Sequence, residues 1–82
     1  MQKLSILVRA FWDDEAKVWI ATSDDVPGLV TEAETQAELV SKLQVMIPDL
    51  LESNQALAGQ FLPEVPLLVM SEQIAKVRLR AE

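Results

Sequence analysis

Apolar and polar positions alternate from Lys3 to Trp12, with Leu4, Ile6, Val8, Ala10 and Trp12 on one side and Leu7, Arg9 and Phe11 on the other. A period of two marks a strand, because successive side chains leave opposite faces of a sheet. Asp13 to Lys17 is a polar tip, and Val18 to Ser23 is again β-branched and aromatic, so the two runs predict a hairpin. Pairing Trp12 with Val18 sends Val8, Ala10, Val18, Ile20 and Thr22 to one face and Leu7, Phe11, Trp19 and Ala21 to the other. A slip of one residue would undo that sorting.

Asp24-Asp25-Val26-Pro27-Gly28 then turns the chain: proline presets a negative φ and glycine supplies the positive φ that a type II turn requires. Leu29 to Ala33 reads as a short third strand. From Thr35 the period lengthens, and Ala37, Val40, Leu43, Ile47 and Leu51 recur at helical spacing, widened by Leu39, Met46 and Leu50. Thr35-Gln36-Ala37-Glu38 fits a capping box, in which the threonine hydroxyl accepts the amide three residues on. Thr31 to Glu34 fits the same pattern, but the helical period begins only after Thr35. Pro48 removes one donor and crowds the carbonyl of Gln44, so the helix either kinks there, the favoured reading, or restarts as a second segment. Ser53-Asn54 is the expected end, and Gly59 with Pro63 marks a connecting loop.

Strand signal returns in Val65 to Met70, and Ile74 to Arg80 alternates Ala75, Val77 and Leu79 against Lys76, Arg78 and Arg80. Ser71-Glu72-Gln73 is either a turn or bulge between two strands or a bend in one long strand; sequence leaves both open. The basic side of the last stretch suits an edge strand, where lysine and arginine discourage stray pairing. Together these signals predict an α+β fold: an antiparallel sheet in β-β-β-α-β order, with a possible extra C-terminal strand and one long helix on one face.

Eighty-two residues fit a single domain over positions 1–82, and half are apolar, enough to fold without staples. The usual per-residue range gives a net stability of roughly 4 to 12 kcal/mol. Cysteine is absent, which excludes disulfides. The net charge of −6 is unevenly spread: Asp13, Asp14, Glu15, Asp24, Asp25, Glu32, Glu34, Glu38, Asp49 and Glu52 face only Lys17 and Lys42 between positions 13 and 52. Such a surface repels phosphate backbones, so direct nucleic-acid binding is not expected, whereas a small basic protein would be attracted and steered. The same excess of carboxylate also serves solubility. Arg9 interrupts the apolar stretch after Lys3, and no run approaches the roughly 20 residues of a membrane span. No membrane association is expected, and a cytoplasmic location is the default.

Histidine is missing together with cysteine, which removes the commonest nucleophilic triads and the preferred zinc ligands. Gly28 and Gly59 are too far apart for a phosphate loop. Carboxylate chemistry remains: Asp14, Asp24, Asp25 and Glu32, gathered at one end of the sheet, could hold magnesium for a metal-dependent phosphodiesterase. Against this, turn aspartates bond their own backbone and hairpin tips are usually solvated, and the chain offers no basic patch for such a substrate. No catalytic residue, metal or cofactor is therefore expected. A single helix covers one sheet face, so Leu7, Phe11 and Trp19 would lie on the other as an apolar patch, suited to self-association or a partner unless the C-terminal strands fold over it.

The run Phe11-Trp12-Asp13-Asp14-Glu15-Ala16-Lys17-Val18-Trp19-Ile20-Ala21-Thr22-Ser23-Asp24-Asp25-Val26-Pro27-Gly28-Leu29, followed by Glu32-Ala33-Glu34-Thr35 and by Ile47-Pro48-Asp49-Leu50-Leu51-Glu52, resembles the HicB-like antitoxin superfamily. The likeness is greatest to its short branch of bacterial domains of unknown function and covers residues 3 to 52. It implies a β-β-β-α-β domain similar to a partial RNase H-like fold without the catalytic carboxylates. It also implies a non-enzymatic binder of a small basic ribonuclease toxin. The exposed apolar face adds self-association, so a homo-oligomer is expected, and with the acidic middle it makes Leu7, Phe11, Trp19, Asp24, Asp25 and Glu32 the partner-binding candidates. Residues 53 to 82 are too few and too strand-like for the DNA-binding domain that many such antitoxins carry, so operator binding is not carried over. The alternative is a stand-alone homo-oligomeric domain with no toxin.

Overall fold

The structure, a computed structural model, describes residues 5–54 and 64–80. Its elements are β1 (Ile6–Asp13), β2 (Val18–Thr22), β3 (Val30–Ala33), α1 (Gln36–Asn54) and β4 (Leu67–Glu72), the order expected from the sequence. The expected starting residues Lys3 and Leu4 and the Gly59 to Pro63 connection lie outside the described residues.

The strands form one sheet in the order β3-β2-β1-β4. β1, β2 and β3 are successively antiparallel, as expected, whereas β4 adds to β1 in parallel. The direction follows from connectivity. Two hairpin steps leave β3 running with β1, and the helix carries the chain back, so the next strand runs the same way again.

The hairpin register differs from expectation by one residue: Trp12 pairs with Trp19 and Asp13 with Val18. The cause lies in the tip. The Lys17 amide donates to the Asp13 carbonyl (2.7 Å), and Lys17 takes a left-handed φ of 61°. Asp13 Oδ1 accepts from the amides of Glu15 and Ala16, which fixes the entry to the turn. Asp13 thus joins the ladder instead of the loop, and β2 presents the opposite set of side chains.

At the second turn the Leu29 amide donates to the Val26 carbonyl (3.1 Å) across Pro27 and Gly28, and Gly28 has a φ of 86°. This is the expected type II geometry. Val26 and Leu29 on either side of it are buried and plug the end of the core.

Helix α1 starts where the capping box places it, with the Glu38 amide donating to Thr35 Oγ1 (3.1 Å). It continues through Pro48 as one helix of 19 residues, so the restart reading is set aside. Pro48 and Gln44 are both exposed, and water can satisfy the carbonyl that lost its donor. The buried row is Leu39, Leu43 and Ile47 at four-residue spacing; Ala37 is exposed, so the apolar stripe is rotated from its expected centre. This row packs on Val8 and Ala10 of β1, Trp19 and Ala21 of β2 and Ala33 of β3. Alanines face each other at Ala10 and Ala21, and small side chains on a sheet let a helix approach closely.

No described helix is long and apolar enough to cross a membrane. Beyond β4, residues 73–80 run on without a turn, exposed and with no strand partner among the described residues. The possible extra C-terminal strand is therefore not formed within the chain.

Candidate functional site

The helix covers one face of the sheet; among the described residues no element covers the other. Strand alternation puts Leu7, Arg9 and Phe11 of β1, Val18, Ile20 and Thr22 of β2, Val30 and Glu32 of β3, and Leu68, Met70 and Glu72 of β4 on that open side. Phe11 is 46% exposed and Val30 65%, and Leu68 and Met70 are also exposed large apolar residues. Cross-strand pairing packs Phe11 against Ile20, and Arg9 lies between Thr22 and Met70. Carboxylates border the apolar centre: Glu32 beside Ile20, Glu72 beside Phe11, and Asp24 at the end nearest Leu7.

Of the expected partner-facing residues, Leu7, Phe11, Asp24 and Glu32 belong to this open side or its rim. Trp19 does not. It is only 9% exposed and lies under the helix, with its ring edge-to-face to Trp12 at 5.3 Å between centroids and an interplanar angle of 61°. The one-residue register difference is the cause, since it moves the odd positions of β2 to the covered side. The same shift brings Val18 and Ile20, assigned to the core from sequence, onto the open face. Val30, Leu68 and Met70 were also missed as members of that face, although the alternation of Leu68 and Met70 with Leu67 and Val69 carries the signal.

Asp25 has a structural task. Its Oδ2 accepts from the Leu7 amide (2.8 Å), its own amide donates to Ser23 Oγ (3.1 Å), and Ser23 Oγ donates to the Leu7 carbonyl (2.6 Å). These bonds close the backbone of Leu7 just where the β1–β2 ladder stops. Leu7, Arg9, Thr22, Ser23, Asp24 and Asp25 line a shallow hollow of about 110 Å³ there, too open and too small to enclose a drug-sized ligand.

At the opposite end, Asp14 accepts from Lys17 Nζ (2.9 Å) and from Trp12 Nε1 (3.3 Å). The lysine bond first, then the indole bond, hold its carboxyl below the ordinary range. Asp14 and Asp25 therefore sit at opposite ends of β1, roughly 20 Å apart at about 3.3 Å per strand residue. The gathering of Asp14, Asp24, Asp25 and Glu32 that a metal site requires does not occur. Among the described residues no group of three or more histidines, cysteines or acids could hold a metal ion.

Fold and site define a small α+β domain with one covered and one open sheet face. The chain belongs to the family described as Domain of unknown function (DUF1902), whose model matches residues 5–81. It is similar to the hypothetical protein TTHA1013 from the extremely thermophilic bacterium Thermus thermophilus, known from a crystal structure, with 45% identity and a TM-score of 0.66 over 92% of this chain and 99% of that one. No curated protein matches. Neither description names a catalytic activity.

Proposed function

We propose that this domain is a non-enzymatic, HicB-like protein-binding module that seats a small basic protein, antitoxin fashion, on its open sheet face. The observation that carries the reading is the exposure of Phe11 and Val30, with Ile20 between their strands, on the side that the helix leaves bare. An apolar centre containing an aromatic ring and rimmed by polar groups is the anatomy of a protein interface. Asp24 and Glu32 at the border give that rim the sign that attracts a basic partner and speeds its approach. The likeness of the Phe11 to Leu29 hairpin and the capped helix to HicB-like antitoxins supports the same choice. The dispersal of the acidic residues to both ends of the sheet supports a binding role over metal-dependent hydrolysis.

The test is a calorimetric titration with the product of a short basic reading frame adjoining this one. A one-to-one complex is expected, weakened at least tenfold by Phe11→Asp. Absence of such a complex, or equal affinity for wild type and variant, would overturn the proposal.

A further inference from the structure

We infer that residues 73–80 are a β-strand donated to a second copy of this chain, pairing antiparallel with that copy's β4 edge across a twofold axis at Ile74 and so joining the two sheets. This stands on the arm and the sheet edge, not on the open face, and goes beyond the function proposed above.

Among the described residues the arm holds the most exposed large apolar side chains. Ile74 is 94% exposed, Val77 82% and Leu79 84%, although the segment has the composition of a strand. It follows β4 without a turn, in a molecule that extends 63 Å along its longest axis against 28 and 18 Å in the other directions. Among the described residues β4 pairs with β1 alone, and its other edge has no strand partner along Leu67–Glu72. The family model runs to residue 81, so the arm lies within the matched domain.

The opposite edge of the sheet is guarded. On β3 the Lys42 ammonium donates to the Glu32 carbonyl (2.7 Å), which sets a lysine against this edge strand, a common guard against stray pairing. β4 has no comparable side-chain bond to its backbone among those described, which makes it the edge open to augmentation.

Charge and parity fix the arrangement. Residues 73–80 carry Lys76, Arg78 and Arg80 and no acid, in a chain whose net charge is −6. Parallel stacking of two arms would oppose like charges. Antiparallel pairing centred on Ile74 instead lays the basic half of each arm beside β4 of the other copy, with Lys76 opposite the partner's Glu72. An even sum of paired positions also keeps faces matched. Val77 and Leu79 then extend the helix-covered side, next to half-buried Leu67 and Val69, while the stems of Arg78 and Arg80 lie over exposed Leu68 and Met70.

Sedimentation of the full chain and of Val77→Asp/Leu79→Asp tests the dimer, because those side chains are exposed and their loss leaves the fold intact, as circular dichroism will register. The wild type is expected at twice the 9.1 kDa chain mass and the double variant at that mass itself. The chain lacks cysteine, so a single Ile74→Cys reports the register. It should form an intermolecular disulfide on oxidation while Glu15→Cys, at the far hairpin tip, should not. A wild type that stays monomeric, a dimer that survives the double substitution, or equal crosslinking at both cysteines would overturn the inference. Phe11→Asp should lower the affinity for the basic protein without changing the mass, so the two proposals fail separately.

Discussion

Exchanging Trp19 and Phe11 for alanine, one at a time, reads the hairpin register in solution. Under the register with Trp12 opposite Val18, both side chains share a face and their loss would cost similar amounts. Under the observed register Trp19 is 9% exposed beneath the helix and Phe11 is 46% exposed on the open face. Deleting a buried tryptophan costs about 3 to 5 kcal/mol. Roughly 0.5 to 1.5 kcal/mol of that belongs to the edge-to-face contact with Trp12. Phe11, already half in water, loses no more than about 1.5 kcal/mol of transfer free energy. Against a total of roughly 4 to 12 kcal/mol, Trp19→Ala removes a large share of the stability. At a urea dependence of about 1 kcal/mol per molar, the midpoint should fall by roughly 3 to 5 M for Trp19→Ala and by no more than about 1.5 M for Phe11→Ala. Urea titration followed by far-ultraviolet circular dichroism suits both variants, because it does not rely on the fluorophore being removed. Near-ultraviolet dichroism adds a second reading, since the coupled signal of the two indoles should vanish with Trp19 and persist without Phe11. Equal midpoint shifts, or a larger one for Phe11→Ala, would refute the register argument.

Other perturbations separate structural from surface roles. Thr35→Ala removes the bond to the Glu38 amide and should cost about 1 kcal/mol in the same urea assay. Asp25→Ala strips the part-buried Leu7 amide of its acceptor and should cost about 1 to 3 kcal/mol. Asp24→Ala, at an exposed site, should stay within about 0.5 kcal/mol, and a reversal of that ranking would contradict the tie between the turn and β1. Carbon-detected NMR titration should place Asp14 below the ordinary aspartate midpoint, and Lys17→Met should raise it by removing the first of its two donors. By linkage, a lowered folded pKa means that this pair helps above the ordinary carboxylate midpoint and that its help fades as pH falls through the lowered one.

Half of the candidate face was legible in the chain. Leu7 and Phe11 alternate with Val8 and Ala10 around the charged Arg9, which can only face water, so the inner and outer sides of β1 follow from its pattern. β2 carries no such marker: Val18, Ile20 and Thr22 on one parity and Trp19 and Ala21 on the other both read as apolar. Its assignment therefore hung on the turn. A lysine gives no hint that it will adopt a left-handed backbone, unlike glycine or asparagine, yet Lys17 at φ 61° decides which residues of β2 meet the helix. Asp25 looked like one more surface acid because its acceptor role depends on Leu7, eighteen positions away.

Local features could be read directly from the chain: two strand periods, a Pro-Gly turn, a threonine-capped helix and an acidic middle, each written in a few neighbouring residues. Features that depend on distant partners emerged only in the assembled sheet. It settled the pairing of Trp12 with Trp19, the parallel entry of β4 beside β1, and the separation of Asp14 from Asp25. Register and strand direction are fixed by backbone hydrogen bonds between remote segments, and backbone groups are nearly alike in every residue. A side-chain pattern limits those pairings to a few, and only the assembled sheet selects among them.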